Sequence, residues 1–303
     1  MFTLAHFSDP HLAPLPPVKA RQLFSKRVLG YLNWKRNRGR KLTTSYLEAL
    51  IADMLAQKPE HLALTGDLVN IALPEEYITA KHWLQSIATG DMLTVVPGNH
   101  DAYVPGALAK ATEHWAPYMR SDGQNQQTAP VFPLMRQRGP LAIIGLCSAK
   151  ATAPFMASGH ISKAQLTALP HYLQDAKARG LFRVVMLHHP PLKNATSIHK
   201  RLRHAEKLQE ILARDGAELI LHGHTHYDTQ MSLQGPNGPI PVMCVPSASN
   251  GPGAHKPACG YNLYQVSGSA SSSWQCQLIK RRYHTQSQAI TTQEEIALNI
   301  PMG

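Results

Sequence analysis

Met92-Leu-Thr-Val-Val-Pro-Gly-Asn-His-Asp101 is a short apolar run that stops at a glycine and hands the chain to an amide, an imidazole and a carboxylate. Its length and branched side chains predict a buried strand, with the polar residues placed where strand becomes loop. The same design recurs along the chain. Thr3 to Asp9 is followed by His11, and His61 to Asp67 ends in Thr-Gly-Asp. Arg183 to His189 ends in His188 and His189 before Pro190, and Glu218 to His224 opens Gly223-His-Thr-His226. Helical patterns separate these runs, which predicts a parallel sheet with crossover helices. The carboxyl ends of parallel strands lie along one edge, so Asp9, His11, Asp67, Asn99, His100, His188, His224 and His226 are expected to meet at one crevice.

Between the runs, Thr43 to Gln57 places Leu47, Leu50, Ile51, Met54 and Leu55 on one helical face, with Ser45 and Glu48 spaced as a capping box. Ser162 and Gln165 repeat that start signal, Pro105 suits a first helical turn, and Arg201 to Arg214 reads as a helix ended by Gly216. Later stretches pair as hairpins. These are Val131–Arg136 with Leu141–Ser148, Met231–Leu233 with Val242–Val245, and Tyr261–Val266 with Trp274–Ile279. One domain over 1–283 is expected, carrying an insertion at about 15–42, followed by a polar tail at 284–303 onto which Ile296, Leu298 and Ile300 put a few apolar side chains.

With 43% hydrophobic and 16% charged residues in 303, and no apolar run long enough to span a bilayer, the chain reads as a globular protein. Four cysteines without a CxxC spacing exclude thiolate metal sites and a disulfide framework, so a reducing compartment is expected. The amino-terminal residues show no basic then apolar leader pattern, which makes a cytoplasmic location the default expectation. Net charge is +11, yet without the nine basic residues from Lys19 to Lys41 the balance is 21 basic against 19 acidic. Any anionic partner is therefore expected at that segment.

The strand-end residues have a chemistry of their own. Two carboxylates, one amide oxygen and several imidazoles suit first-row divalent cations better than calcium, which prefers oxygen throughout. With about seven ligands for two cations one ligand must bridge. Asp67 is the candidate, because a carboxylate has two oxygens with which to do so. Gly66, Gly98 and Gly223, each beside a ligand, allow tight backbone paths.

In this order, Asp9-x-His11, Gly66-Asp67, Gly98-Asn-His-Asp101, His188 and Gly223-His-x-His226 resemble the five blocks of the calcineurin-like metallophosphoesterase superfamily. The resemblance implies a four-layer α/β/β/α sandwich of two mixed sheets flanked by helices. It implies two divalent metal ions, manganese, iron or zinc, the first held by Asp9, His11, Asp67 and His226 and the second by Asp67, Asn99, His188 and His224. His188 rather than His189 is the implied ligand, because it stands two residues before Pro190. It further implies that His100, oriented by Asp101, protonates the leaving oxygen or stabilises the phosphoryl charge while a metal-bridging hydroxide attacks phosphorus in line. Asn70 departs from the aspartate that cyclic-nucleotide-type relatives often show there.

The expected function is that of a metal-dependent phosphodiesterase. The alternative is a membrane-surface lipid pyrophosphate hydrolase such as a UDP-2,3-diacylglucosamine pyrophosphatase of lipid A synthesis, although His100 stands where that branch often has arginine. A nuclease and a non-catalytic scaffold rank below both. The alternative draws on the 19–41 segment, where Leu23, Phe24, Val28, Tyr31, Leu32 and Trp34 form an apolar face among Lys26, Arg27, Lys35, Arg36 and Arg38. An interfacial helix on anionic lipid at the inner face of the membrane, a substrate lid and a packed insertion are the readings of that pattern; nucleic acid is a further one.

Overall fold

The computed structural model describes residues 1–38, 44–253 and 255–300. In chain order the first half runs β1 (Phe2–Phe7), α1 (Arg27–Asn33), α2 (Thr44–Ala56), β2 (His61–Leu64), α3 (Pro74–Ile87), β3 (Leu93–Val95) and α4 (Ala107–His114). Then come β4 (Leu134–Arg138), β5 (Leu141–Gly145), β6 (Gly159–His160), α5 (Lys163–Ala178), β7 (Phe182–Met186), β8 (Leu202–Arg203) and α6 (Ala205–Asp215). The chain finishes with β9 (Leu219–His222), β10 (Thr229–Gly235), β11 (Gly238–Cys244), β12 (Gly260–Ser269), β13 (Ser273–His284) and β14 (Ala289–Leu298).

Two six-stranded mixed sheets result, ordered β14-β13-β12-β1-β2-β3 and β10-β11-β9-β7-β5-β4, with β6 and β8 paired separately. Strands β1, β2 and β3 are parallel, as are β5, β7, β9 and β11. The hairpins read from sequence add β4, β10, β12 and β13 as antiparallel neighbours.

Period-two alternation sorts the strand side chains into layers. Leu4, Ala63, Ile143, Val184, Met186 and Leu221 meet between the sheets. Their chain neighbours Ala5, Leu62 and Leu64 turn outward onto the helical residues Leu50, Met54 and Tyr77, while Ile144, Val185 and Ile220 turn onto Leu169, Leu173, Leu208 and Leu212. That is the expected four-layer sandwich of two mixed sheets flanked by helices.

Local signals decide the helix ends. The Ser162 hydroxyl accepts the Gln165 amide at the start of α5, but the Gln165 side chain, instead of closing a capping box, bonds both backbone groups of Cys147. Gly216, at φ 76°, ends α6 as expected. Helix α3 was not anticipated. Pro74 occupies its first turn, and the Glu76 carboxylate accepts the amides of Asn70, Ile71 and Leu73.

The stretch after 284 is not a tail. Ala289–Leu298 forms β14 along β13, with Ile290 and Leu298 buried and Lys280 paired to Glu294 at 3.0 Å. An edge strand keeps one face in water, so its polar composition conceals it. The insertion is partly ordered on the body: Leu15, Val18 and Tyr31 pack on the core, whereas Phe24, Val28 and Leu32 stay exposed. Arg40 and Lys41 lie outside the described residues. All four cysteines are buried free thiols.

Three imidazoles are sealed within the sheets. Burial pushes His6 and His61 down to about 3 and His222 down to about 4. His6 and His61 each face a threonine hydroxyl, at 2.9 and 2.8 Å. The unfolded chain takes up protons near pH 6.5 whereas the folded chain refuses them until far lower, so stability is whole above pH 6.5 and falls as pH drops towards 3. Each histidine contributes at most about 1.4 kcal/mol per pH unit in that window. Denaturant midpoints from neutral to mildly acidic pH should fall steeply, and His61→Gln should flatten the slope by about one proton. An identical slope in that variant would show that His61 is not among the groups responsible.

Candidate metal centre

Every predicted ligand sits just past a parallel strand, and five of the seven stand on backbone that the strand alone would not adopt. Asp9, His11, Asp67, His224 and His226 all have positive φ, between 40° and 70°. This left-handed region is disfavoured for residues with a Cβ and is tolerated where surrounding contacts enforce it. Close glycines make the turns feasible. A Cβ on Gly98 would lie 2.2 Å from Asp67 Oδ1, and one on Gly223 would lie 1.9 Å from Ser8 Oγ. Neither position has room for a side chain.

The ligand atoms gather in two groups that share Asp67. In the first, atoms of Asp9, His11, Asp67 and His226 all lie within 4.8 Å of one another. His226 Nε2 is 3.0 Å from Asp9 Oδ1, and His11 Nε2 is 3.8 Å from Asp67 Oδ2. Asp9 Oδ2 accepts the Ser8 hydroxyl and the His224 amide, while Ser247 Oγ donates to the Asp9 carbonyl. In the second group His188 Nε2 stands 3.1 Å from Asn99 Oδ1 and 3.4 Å from Asp67 Oδ2. The rings of His188 and His224 are 5.1 Å apart.

Tautomers follow from the acceptors. A carbonyl only accepts, so His188 Nδ1 carries the proton it donates to Thr65 O, and His11 Nδ1 the one it donates to Val69 O. This leaves the His188 Nε2 lone pair facing two oxygens, an arrangement that is repulsive unless a cation or a proton lies among them. His224 Nε2 is buried without a hydrogen-bond partner. Convergent lone pairs, a buried unpartnered ring nitrogen and a donor set of carboxylate, imidazole and amide oxygen fit a dinuclear divalent site.

The charges agree with that fit. Burial opposes ionisation of Asp67, but the facing His188 and His100 hold its carboxyl well below the usual range. Burial likewise works against a charged His188, yet the Asp67 carboxylate raises it to about 9. Burial and the neighbouring His189 and His188 push His224 far down, which keeps it neutral as a ligand must be.

His189 lies close to this group, its ring 4.5 Å from that of His224. Both its nitrogens are committed, however. Nε2–H donates to Ala157 O at 3.1 Å and Nδ1 accepts the Ser148 hydroxyl at 2.8 Å, so no lone pair remains for a cation. Burial also holds it down at about 3. His188 is thus the member of the pair with a nitrogen to offer.

His100 stands at the edge of the first group, its ring 4.9 Å from His11. The expectation that Asp101 orients it is corrected by the structure: His100 Nδ1–H donates to the carbonyl of Asn70. Asp101 is buried and its carboxylate accepts the amides of Asp67, Leu68, Val69 and Gly98, so it ties together the two loops that present Asp67 and Asn99. It is a positioning residue for those loops, because four amide donors converge on its carboxylate. Burial and the charge of Asp67 raise its carboxyl to about 7.

Two supports escaped the sequence reading. Tyr103 stacks on His100 with ring centroids 5.4 Å apart and planes 13° apart, and Ser8 braces Asp9. Ser8 adjoins a quoted block and was open to inference; nothing in the sequence marks Tyr103.

A family model described as calcineurin-like phosphoesterase matches residues 2–228, a span that includes every ligand named above. A probable cyclic nucleotide phosphodiesterase of Synechococcus sp. (strain WH7803) is 26% identical over 252 residues, covering 80% of this chain and 81% of that protein. Among solved structures, a dimetal phosphatase from Danio rerio superposes with a TM-score of 0.65 at 11% identity, covering 100% of this chain and 99% of that one. A purple acid phosphatase from yellow lupin (Lupinus luteus) seeds gives 0.57 at 13% identity over 96% of this chain and 52% of its own. At these identities the two structures share the fold. The family match over three quarters of the chain, together with the site that its fold assembles, shows that the chain belongs to the calcineurin-like phosphoesterases and is a metal-dependent phosphoester hydrolase.

Proposed function

We propose that the protein is a phosphodiesterase that cleaves a P–O bond at the site shared by the two ligand groups. The observation that carries this reading is Asp67, within 4 Å of ring nitrogens from both groups and with His100 held beside it. Asp9, His11, Asp67 and His226 would hold one cation, and Asp67, Asn99, His188 and His224 the other. Bound there, the cations supply charge for the phosphoryl oxygens and lower the pKa of water. Around them the protein's own groups orient and protonate. The Asn70 carbonyl fixes the His100 tautomer, so Nε2 is the nitrogen left to deliver a proton to the departing oxygen. The backbone amide of His100 bonds Asp67 Oδ1 at 2.7 Å, which ties proton donor and shared ligand into one rigid turn. The relative described as a probable cyclic nucleotide phosphodiesterase supports a diester substrate. A second reading, hydrolysis of the pyrophosphate in a UDP-linked diacyl sugar, uses the same core and is favoured by the exposed apolar residues of α1.

The test compares an aryl phosphodiester, the matching monoester, a cyclic nucleotide and the UDP-linked diacyl sugar, using protein purified with manganese. A diester preference of at least about tenfold over the monoester is expected. Faster monoester turnover would overturn the reading.

A further inference from the structure

The net charge of the chain is not spread over its surface. Residues 10–36, 149–161 and 190–204 hold 11 Lys and Arg and no Asp or Glu, whereas the remainder holds 19 of each sign. These stretches follow β1, β5 and β7, and β1 and β7 present ligands of the metal centre just past their carboxyl ends. The three are tied together. Lys26 Nζ donates to Thr152 Oγ1 and Met156 O, both at 2.8 Å, and the Ala157 amide donates to His199 O at 2.9 Å.

The same loops carry apolar side chains that the fold leaves in water. Phe24 is 89% exposed, Phe155 85% and Ile198 60%, while Val28 and Leu32 continue the Phe24 ridge at four-residue spacing. Lys26 and Arg27 are engaged by the body, Arg27 through the carbonyls of Ile71 and Ala72. Lys19, Arg21, Lys35 and Arg36 are exposed beside the ridge. Isolated exposed apolar residues are ordinary, but five on segments tied together by hydrogen bonds and carrying no acidic residue of their own form a patch with one consistent chemistry, with Glu75 and Glu206 reaching only its border at Gln22 and His204.

We propose that this rim docks on an anionic phospholipid surface, with Phe24, Val28, Leu32 and Phe155 entering the headgroup boundary and the surrounding lysines and arginines meeting lipid phosphates. Aliphatic and phenyl side chains mixed amid basic residues suit a bilayer. A nucleic-acid groove would instead offer a succession of flat rings for stacking, and of the five only Phe24 and Phe155 carry one, Val28, Leu32 and Ile198 being aliphatic. Docking here would turn the crevice towards the membrane, so the substrate class becomes a phosphoester presented at a lipid surface. That last step rests on the hydrolase reading; the docking does not.

The test is cosedimentation of the full chain with phosphatidylcholine vesicles, with and without phosphatidylglycerol, alongside hydrolysis of a soluble aryl phosphodiester. Partition onto the anionic vesicles alone is expected, weakening with salt. Phe24→Asp with Phe155→Asp, and separately Lys35→Glu with Arg36→Glu, should each lower partition at least about tenfold and leave soluble turnover unchanged, which also certifies folding. Wild-type protein that stays in solution, variants that bind as well as wild type, or binding to a single-stranded oligonucleotide in place of vesicles would each overturn the proposal. Loss of soluble diester turnover in the wild type, with vesicle binding intact, would count against the phosphodiesterase reading alone.

Discussion

Asp67→Ala is expected to abolish metal binding and hydrolysis together. Asp67 Oδ2 is 3.8 Å from His11 Nε2 and 3.4 Å from His188 Nε2, so this carboxylate reaches both ligand groups. Each group would lose its shared anion, and the cations that neutralise phosphoryl charge would leave with it. Several kcal/mol of transition-state stabilisation depend on them, which corresponds to a loss of about 10⁴-fold or more in turnover. Stability should fall in the metal-free protein as well, because the facing His188 and His100 hold the ionised Asp67 carboxyl well below its usual range and the His100 amide bonds its Oδ1. Metal content by plasma mass spectrometry and melting in chelator provide the readouts. Retention of one full equivalent of metal would show that Asp67 serves a single cation.

His100→Ala should separate chemistry from metal binding. The ring is 4.9 Å from His11 yet belongs to neither ligand group, and its Nδ1 is spent on Asn70 O. Metal content should therefore be retained while turnover falls by about 10² to 10⁴, the usual span for a lost general acid. A proton donor matters most when the leaving oxygen is basic. The loss should accordingly be larger for an alkyl diester than for a nitrophenyl one. Equal losses for both would make His100 a stabiliser of phosphoryl charge, and loss of metal would return it to the ligands.

The difference between Asp101 and His100 shows how far a motif is legible. Gly98-Asn-His-Asp places four functional residue types at one strand end, but adjacency in sequence says nothing about which group faces which. The structure turns Asp101 inward to four amides and leaves His100 to a carbonyl from the preceding crossover loop. The pair His188 and His189 is similar. The position of Pro190 implied the first as ligand, and its physical reason, that His189 has both nitrogens engaged by Ser148 and Ala157, exists only once β7 lies beside the loops after β5. Edge strand β14 and helix α3 were missed because their signals are weak: the first has a run of five polar residues, Thr291 to Glu295, at its centre, and the second is held by Glu76 bonding to amides upstream of it.

By itself the sequence determined the alternation of strands and helices, the later hairpins, and the set of ligands collected at the strand ends. These depend on periodicity and residue type, which are local. Tertiary structure alone decided the positive-φ turns that aim Asp9, His11, Asp67, His224 and His226 inward, the tautomers of His11 and His188, and the ties that join the basic segments after β1, β5 and β7. Each of these joins groups far apart in the chain, and they acquire a distance only when the two sheets pack.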